Sequence, residues 1–348
     1  MPEKLRVGII GAGNIVQSAH IPAFMKLENE VELKAVCDLN EERAREVAGK
    51  YGIEHVCRNM DELTSLRDVD AVTIGTWNNA HVDAVLSAAK AGKHILCEKP
   101  MAMTAAEAEK MADAVEQAGV TFMMGFVSRF RAESQILKEL SEQGRFGHIY
   151  YAKASLLRRR GTPLGWFTDL SKSGGGPVID IGVHIIDLTW YLMGKPKPTA
   201  VSAAVHHEIG DYKTKGVSRW MALDTDDLVF ETEDSAAAFI RFENGATMAV
   251  EVSWAINGQE KPINATIYGS RAGANLDPLA VYGEEAGYLA DTFPNPGETA
   301  PFVEEMRHFV SCVKEGRQPL ASVYDGVQVQ KMLNGIYQSA EEGREIQL

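Results

Sequence analysis

Short apolar runs separated by stretches of helical period fill the first third of the chain. Leu5 to Ile10 is apolar and runs into glycine; Val31 to Cys37 alternates and stops at Asp38. Val69 to Gly75, His94 to Cys97 and Val120 to Phe126 are further short apolar runs. Each predicts a strand. The segments between them carry helix signals. Thr104-Ala-Ala-Glu107 is a capping box, Gly119 stands where that helix should stop, and Asn79 is placed to cap the helix that ends near Gly92. Strands alternating with helices predict right-handed crossovers and a parallel sheet.

Beyond about residue 125 the pattern changes. Ile149 to Leu157 reads as a longer strand and Pro177 to Leu192 as a helix. Ala200 to His207, Ser235 to Phe242 and Ala246 to Ala255 then read as strands with few helices between them. Glu243-Asn244-Gly245 joins the last two, and Asn-Gly is a strong hairpin signal. This predicts an antiparallel sheet with one covered face. Residues 287–301, rich in Gly, Pro and Asn, read as a loop, and Phe302 to Lys314 and Gly326 to Ala340 as two closing helices. Phe302, Met306 and Phe309 repeat at helical spacing, as core residues do.

A chain of 348 residues is too long for one ordinary core and fits two domains. Its formal charge of −13 disfavours nucleic acid as a partner. The first residues carry charge and only a short apolar run, and no later segment reaches the length of a membrane span. Cys37, Cys57, Cys97 and Cys312 form no C-x-x-C pair, so no metal site is expected and reduced thiols of a cytoplasmic protein are the plain reading.

Three motifs carry chemistry. Gly11-Ala12-Gly13-Asn14-Ile15-Val16 follows the first strand and opens a helix, the setting of a dinucleotide fingerprint. Gly11 permits the tight turn, Gly13 admits a pyrophosphate, and Asn14 and Ile15 open the helix that receives it. Val16 stands where glycine or alanine is usual. Asp38, ending the second strand, suits the two ribose hydroxyls of NAD and repels a 2′-phosphate. Cys97-Glu98-Lys99-Pro100 ends another strand, on the edge where parallel sheets bind ligands. In Ser173-Gly174-Gly175-Gly176-Pro177-Val178-Ile179-Asp180-Ile181-Gly182-Val183-His184, Asp180 and His184 are spaced i, i+4, so a carboxylate can orient an imidazole for proton transfer. The glycines before Pro177 imply a close approach at the helix start. Each motif also has a plainer reading: Asp38 as a helix cap, Glu98-Lys99 as a surface ion pair, His184 as a core residue. Arg158-Arg159-Arg160 stands out in an acidic chain; at strand period Arg158 and Arg160 share a face, either solvated or turned to a substrate anion, and Arg129 is a weaker candidate of the same kind.

With these motifs in this order, the chain resembles the glucose–fructose oxidoreductase, inositol dehydrogenase and MocA family over nearly its whole length. The resemblance implies an α/β protein with an N-terminal Rossmann domain for NAD(P) and a C-terminal α+β domain with an open, mostly antiparallel sheet. It implies domains at 1–124, with 302–348 packing back on it, and 125–301 for substrate and oligomerisation. It further implies hydride transfer between NAD and a secondary hydroxyl of a sugar, sugar derivative or cyclitol. Lys99, Asp180 and His184 would be the catalytic set, with either His184 or Lys99 as the base. Thr76, Asn78 and His81, in a turn where Trp77 replaces the family's proline, would join Glu98, Lys99 and Trp166 around the cofactor. Homodimers or homotetramers are implied as well. Two other functions share these residues: an NAD-using glycosidase that oxidises its substrate transiently, and a non-enzymatic cofactor-binding regulator.

Overall fold

The computed structural model describes residues 4–223 and 229–348. They fall into two compact units, one comprising residues up to Val127 together with Ala300–Gln330, the other Ser128–Thr299 together with Lys331–Leu348.

The first unit is built on six parallel strands: β1 (Leu5–Ile10), β2 (Val31–Cys37), β3 (His55–Cys57), β4 (Ala71–Ile74), β5 (His94–Glu98) and β6 (Phe122–Gly125). Their order is β3-β2-β1-β4-β5-β6, all pairs parallel. The order reverses between β1 and β4, the switch point at which a doubly wound sheet opens a crevice beyond its carboxyl ends. Every residue of β4 is buried, as expected of a strand covered on both faces. Ile9, Ala12, Val16, Ile21, Val36, Ala44 and Val47 form one continuous core beside β1 and β2.

Helix ends follow local chemistry. Thr104 and Glu107 complete their reciprocal capping box at the start of helix Ala105–Ala118, and Gly119 ends it with φ +63°. Asn40 caps helix Glu41–Tyr51 by accepting Arg43 N–H at 3.1 Å. Asn79, in contrast, is not at the N-cap position: it lies inside a 3₁₀ turn, Asn78–Ala80, and Ala80 is the residue that precedes helix His81–Lys90.

The second unit carries a nine-stranded mixed sheet. Its strands are β7 (Ile149–Leu157), β8 (Pro198–His206), β9 (Ser235–Phe242), β10 (Thr247–Ser253), β11 (Lys261–Gly269), β12 (Gly273–Asn275), β13 (Ala280–Glu285), β14 (Tyr288–Thr292) and β15 (Ile346–Gln347). The order is β14-β13-β12-β11-β7-β10-β9-β8-β15. Only β7 and β10 pair in parallel; the Asn244-Gly245 hairpin between β9 and β10 forms as expected, with Gly245 at φ +82°. Ala152, Ala154, Ala265 and Ile267 are buried on the face packed by helix Val183–Leu192.

Three expectations are corrected here. The 287–301 segment is not all loop, because β13 and β14 form a hairpin through Ala286 and Gly287, both at positive φ. Strand β11 lies in a stretch that the sequence reading left unassigned. Residues 331–348 belong to the second unit rather than the first. There β15 pairs with β8, and Gly335 lies so near Val201 and Leu348 that a Cβ would clash.

Candidate active site

The glycine turn lies at the switch point of the first sheet. Gly11 has φ +87°, and a Cβ there would come within 2.8–2.9 Å of the Gly75 and Thr76 backbone. Only glycine fits such a turn. A Cβ on Gly13 would meet nothing nearer than Gly75 O at 3.8 Å, so the protein itself does not fill the space over this turn. Asn14 and Ile15 begin the helix there, and its free N–H groups suit a pyrophosphate. The donor set, the empty cradle and a carboxylate at the end of β2 all fit a dinucleotide. Val16, the departure from the usual pattern, is accommodated by the opposite strand end: a Cβ on Gly75 would lie 2.4 Å from Val16 Cγ2. The small residue has moved from the helix to the sheet.

Asp38 ties this turn to β2. Its Oδ2 accepts Ala12 N–H at 2.7 Å, and its Oδ1 accepts Asn40 N–H at 2.8 Å and an Arg43 guanidinium nitrogen at 2.5 Å. Arg43 is not singled out by the sequence, because it stands five residues beyond Asp38. A helix turn brings it back beside the carboxylate.

Lys99 is the first residue beyond β5, and both of its neighbours are held by buried imidazoles. On one side, His20 Nε2–H donates to Glu98 Oε1 at 2.8 Å while its Nδ1 meets the Thr73 hydroxyl at 2.8 Å. Glu98 Oε2 in turn accepts the Lys99 backbone N–H at 3.1 Å. On the other, His81 Nδ1–H donates to Pro100 O at 2.7 Å. Burial lowers the His81 pKa, so the ring is neutral and its proton sits on Nδ1. The Lys99–Pro100 peptide is cis. Thr76 and Asn78 lie in the turn after β4, half-buried and buried respectively. His81 therefore acts here on the lysine turn. Behind these groups, Glu305 is fully buried, and neither of its carboxyl oxygens has a hydrogen-bond partner among the described residues. Burial, with the charge of Glu98 adding to it, holds its pKa well above the usual range. His20 and Glu305 were not singled out in the sequence, where a lone polar residue in an apolar stretch carries no local sign of its partner.

In the second unit, residues Val178–Gly182 form a π turn that continues into helix Val183–Leu192. Asp180 lies in the π turn and His184 in the first turn of the helix, so the α-helical spacing assumed for them does not hold across this segment. Asp180 Oδ2 accepts Trp254 Nε1–H at 3.0 Å, from a tryptophan just past β10 that the sequence reading did not single out. His184 lines a cleft of about 370 Å³ together with Arg131, Arg158, Glu260 and Lys261. Trp166 stacks on Phe167 with ring centroids 4.0 Å apart.

The close approach expected at the glycine run before Pro177 is present, and the protein itself makes it: a Cβ on Gly175 would lie 2.0 Å from Tyr337 Oη, and one on Gly176 2.3 Å from Glu233 O. The buried Glu233 carboxylate accepts Gly176 N–H at 2.9 Å, Val178 N–H at 3.1 Å and Tyr337 O–H at 2.8 Å, capping the helix start. Arg129 is no substrate contact. It is fully buried, its guanidinium pairs with Asp187 at 2.6 Å and lies 4.6 Å from the Tyr191 ring centroid. Arg158 and Arg160 likewise do not share a strand face, because β7 ends at Leu157. Arg160 bonds Asn257 Oδ1 at 2.7 Å and Ile256 O at 3.2 Å. In the first unit, Glu54, His55 and Asp68 gather at one edge, but the Lys34 ammonium already sits among them.

Comparison with known proteins agrees with this layout. Residues 5–126 match the family model described as oxidoreductase family, NAD-binding Rossmann fold, and residues 138–348 match its C-terminal alpha/beta domain. The chain is 34% identical to D-glucoside 3-dehydrogenase of Escherichia coli, over 99% of this chain and 97% of that one. It is 28% identical to myo-inositol 2-dehydrogenase of Thermotoga maritima, over 99% and 98%. A levoglucosan dehydrogenase solved with NADH superposes with a TM-score of 0.86 at 26% identity, over 99% of both chains. With an NAD-binding Rossmann domain and the matching C-terminal domain in one chain, the protein belongs to the glucose–fructose oxidoreductase, inositol dehydrogenase and MocA family of oxidoreductases.

Proposed function

We propose that this oxidoreductase oxidises a secondary hydroxyl of a sugar, sugar derivative or cyclitol, with Lys99, Asp180 and His184 as its proton-transfer set. The observation that carries this reading is the placement of His184 on the wall of a cleft large enough for one sugar ring, four residues after an Asp180 fixed by Trp254. Relatives that act on a glucoside and an inositol support the substrate class.

NAD⁺, when bound, would supply the hydride acceptor. The protein's part is to place the hydroxyl and manage its proton. His184 takes that proton, and Asp180 orients the imidazole and stabilises its charged form. Lys99 supplies positive charge to the oxygen as the proton leaves. The contacts of His20 and His81 on either side keep the lysine turn in one position, so no reorganisation is needed during the reaction. Gly11, Gly13, Asn14, Ile15 and Asp38 would hold the pyrophosphate and adenosine ribose, and Thr76, Asn78, Glu98 and Trp166 would serve the nicotinamide end.

Two coarser properties complete the proposal. Self-association through the second sheet makes a homodimer or homotetramer. The four cysteines are all buried and free, which fits a reducing cytoplasmic setting. Among the described residues no helix is long and apolar enough to cross a membrane. A panel of sugars, sugar derivatives and cyclitols assayed for NADH formation tests the central reading. Net NADH release with at least one of them is expected. Net hydrolysis of a glycoside without NADH release would replace the reading with the glycosidase one.

A further inference from the structure

We infer that the cleft beside His184 selects a substrate carrying a negative charge, as a phosphate ester or a carboxylate, with Arg158 as the residue that reads it. This rests on the reading of His184 as a proton-transfer residue and names the substrate class of that same site.

The cleft is cationic in a chain of net charge −13. Arg131, Arg158 and Lys261 contribute three permanent positive charges to its wall, against the single carboxylate of Glu260; the remaining lining is mostly apolar. Two of the cations have carboxylate partners elsewhere. Arg131 Nε lies 3.4 Å from Glu133 Oε2, and Lys261 Nζ lies 3.4 Å from Glu251 Oε2, the latter an exposed pair of little energetic weight.

Arg158 is different. Its side chain forms no ion pair among the described residues, and its one hydrogen bond there is long, 3.4 Å from Nη1 to Gly161 O. The residue is nevertheless half-buried. Its stem packs against Gly161: a Cβ there would lie 2.6 Å from Arg158 Cδ. The neighbouring arginines do not share this state. Arg159 is exposed, and Arg160 is engaged by Asn257 and the Ile256 carbonyl. A half-desolvated guanidinium with most of its donors unused and its stem fixed is pre-organised for a planar or tetrahedral oxyanion, which it can bind through two parallel N–H groups.

The strand paired with β7 adds to the same lining. The β11–β7 register shifts between Lys261 and Asn264, so a bulge at Pro262 and Ile263 interrupts the ladder at the cleft. A bulge turns side chains out of the regular alternation, and such features recur beside binding sites. Here it places Lys261, Pro262 and Ile263 together on the lining. A neutral polyol needs hydroxyl-matching amides and carboxylates; three cations with one carboxylate match an anion better.

The test compares glucose, glucose 6-phosphate and glucuronate with the NAD-loaded enzyme, by NADH formation and by calorimetric binding to the NADH complex. The three share a ring and differ in bearing a neutral, a phosphate or a carboxylate group. At least one anionic sugar is expected to exceed glucose about 10-fold or more in kcat/KM, and Arg158→Gln to reduce that preference by about 10–100-fold, the range of a charge-assisted bond. Inorganic phosphate should compete with the preferred anionic sugar and compete less well in Arg158→Gln. The phosphate and carboxylate arms identify which anion is read. Equal or better use of glucose, no binding of either anionic sugar at millimolar concentration, or an unchanged preference in Arg158→Gln would overturn the inference. Arg158-dependent binding of an anionic sugar without any oxidation would leave it standing and remove the proposed reaction instead.

Discussion

At the scale of single residues, the proposed cofactor edge rests on Asp38 and Arg43. A carboxylate facing the ribose would favour two free hydroxyls and repel an added phosphate, and this one pairs with the Arg43 guanidinium. NAD is therefore expected to bind more tightly than NADP, and Asp38→Ala, by releasing Arg43, to shift the NADP-to-NAD affinity ratio upward by about 10-fold or more, the worth of one ionic contact. Fluorescence titration with both cofactors measures this; a ratio that does not move would mean that Asp38 does not face the ribose. Glu305 makes a second prediction. Its folded pKa lies well above that of the unfolded chain because burial disfavours the charged form. Folding then takes up a proton between the two values, so stability is lost as pH rises through that window. Relative to Glu305→Gln, the natural protein should lose melting temperature as pH is raised from about 5 to about 8. Parallel melting curves for the two proteins across that range would show that the carboxyl is not protonated in the fold. The Glu98 carboxylate, with His20 bonded to it, is the charged neighbour that this argument includes.

At the scale of elements, the contact between the first helix and β4 is a size exchange. Val16 occupies the position that a glycine or alanine usually takes, and Gly75 supplies the missing space. Gly75→Ala should destabilise the protein by about 1–3 kcal/mol through overpacking, and adding Val16→Ala should recover about 1 kcal/mol or more of it. Denaturant unfolding of the two single variants and the double one reads the coupling; strict additivity would contradict the exchange. The elements also show what was legible in the sequence. The parallel strands, the Thr104 capping box and the Asn-Gly hairpin rest on periodicity and turn chemistry, which are local, and they form as expected. The meaning of the Gly174–Gly176 run was not legible, because the groups it admits, Glu233 and Tyr337, are far away in sequence. The same holds for Trp254 on Asp180 and His20 on Glu98. The Pro177–Leu192 helix was legible as a helix, but not the π turn that resets the spacing of the two candidate residues Asp180 and His184.

At the scale of the whole molecule, the open face of the second sheet is less apolar than its pattern suggested. It carries the stacked pair Tyr151 and Tyr268, with ring centroids 5.2 Å apart, Lys153 within about 6 Å of both, and Phe239 beside Arg241. Exposed apolar groups stand at the β13–β14 hairpin, where Leu289 is 92% and Tyr288 77% exposed, and also at Trp220 and Met221. An exposed sheet edge and face of this kind is a surface that monomers seldom leave uncovered. Light scattering at micromolar concentration should return the mass of a dimer or tetramer, and a clean monomer would remove self-association from the account.

The central claim is that hydride transfer is served by proton transfer at His184, and one comparison tests it most directly. On the best substrate from the panel, His184→Ala should lose about 10²–10⁴-fold in kcat, the usual loss on removing a general base, while its NAD affinity stays within about 2-fold of the natural protein's. Lys99→Ala should also be crippled, and the double variant little worse than the poorer single one, because the two groups act together. Near-normal turnover by His184→Ala would contradict the account and leave Lys99 as the base.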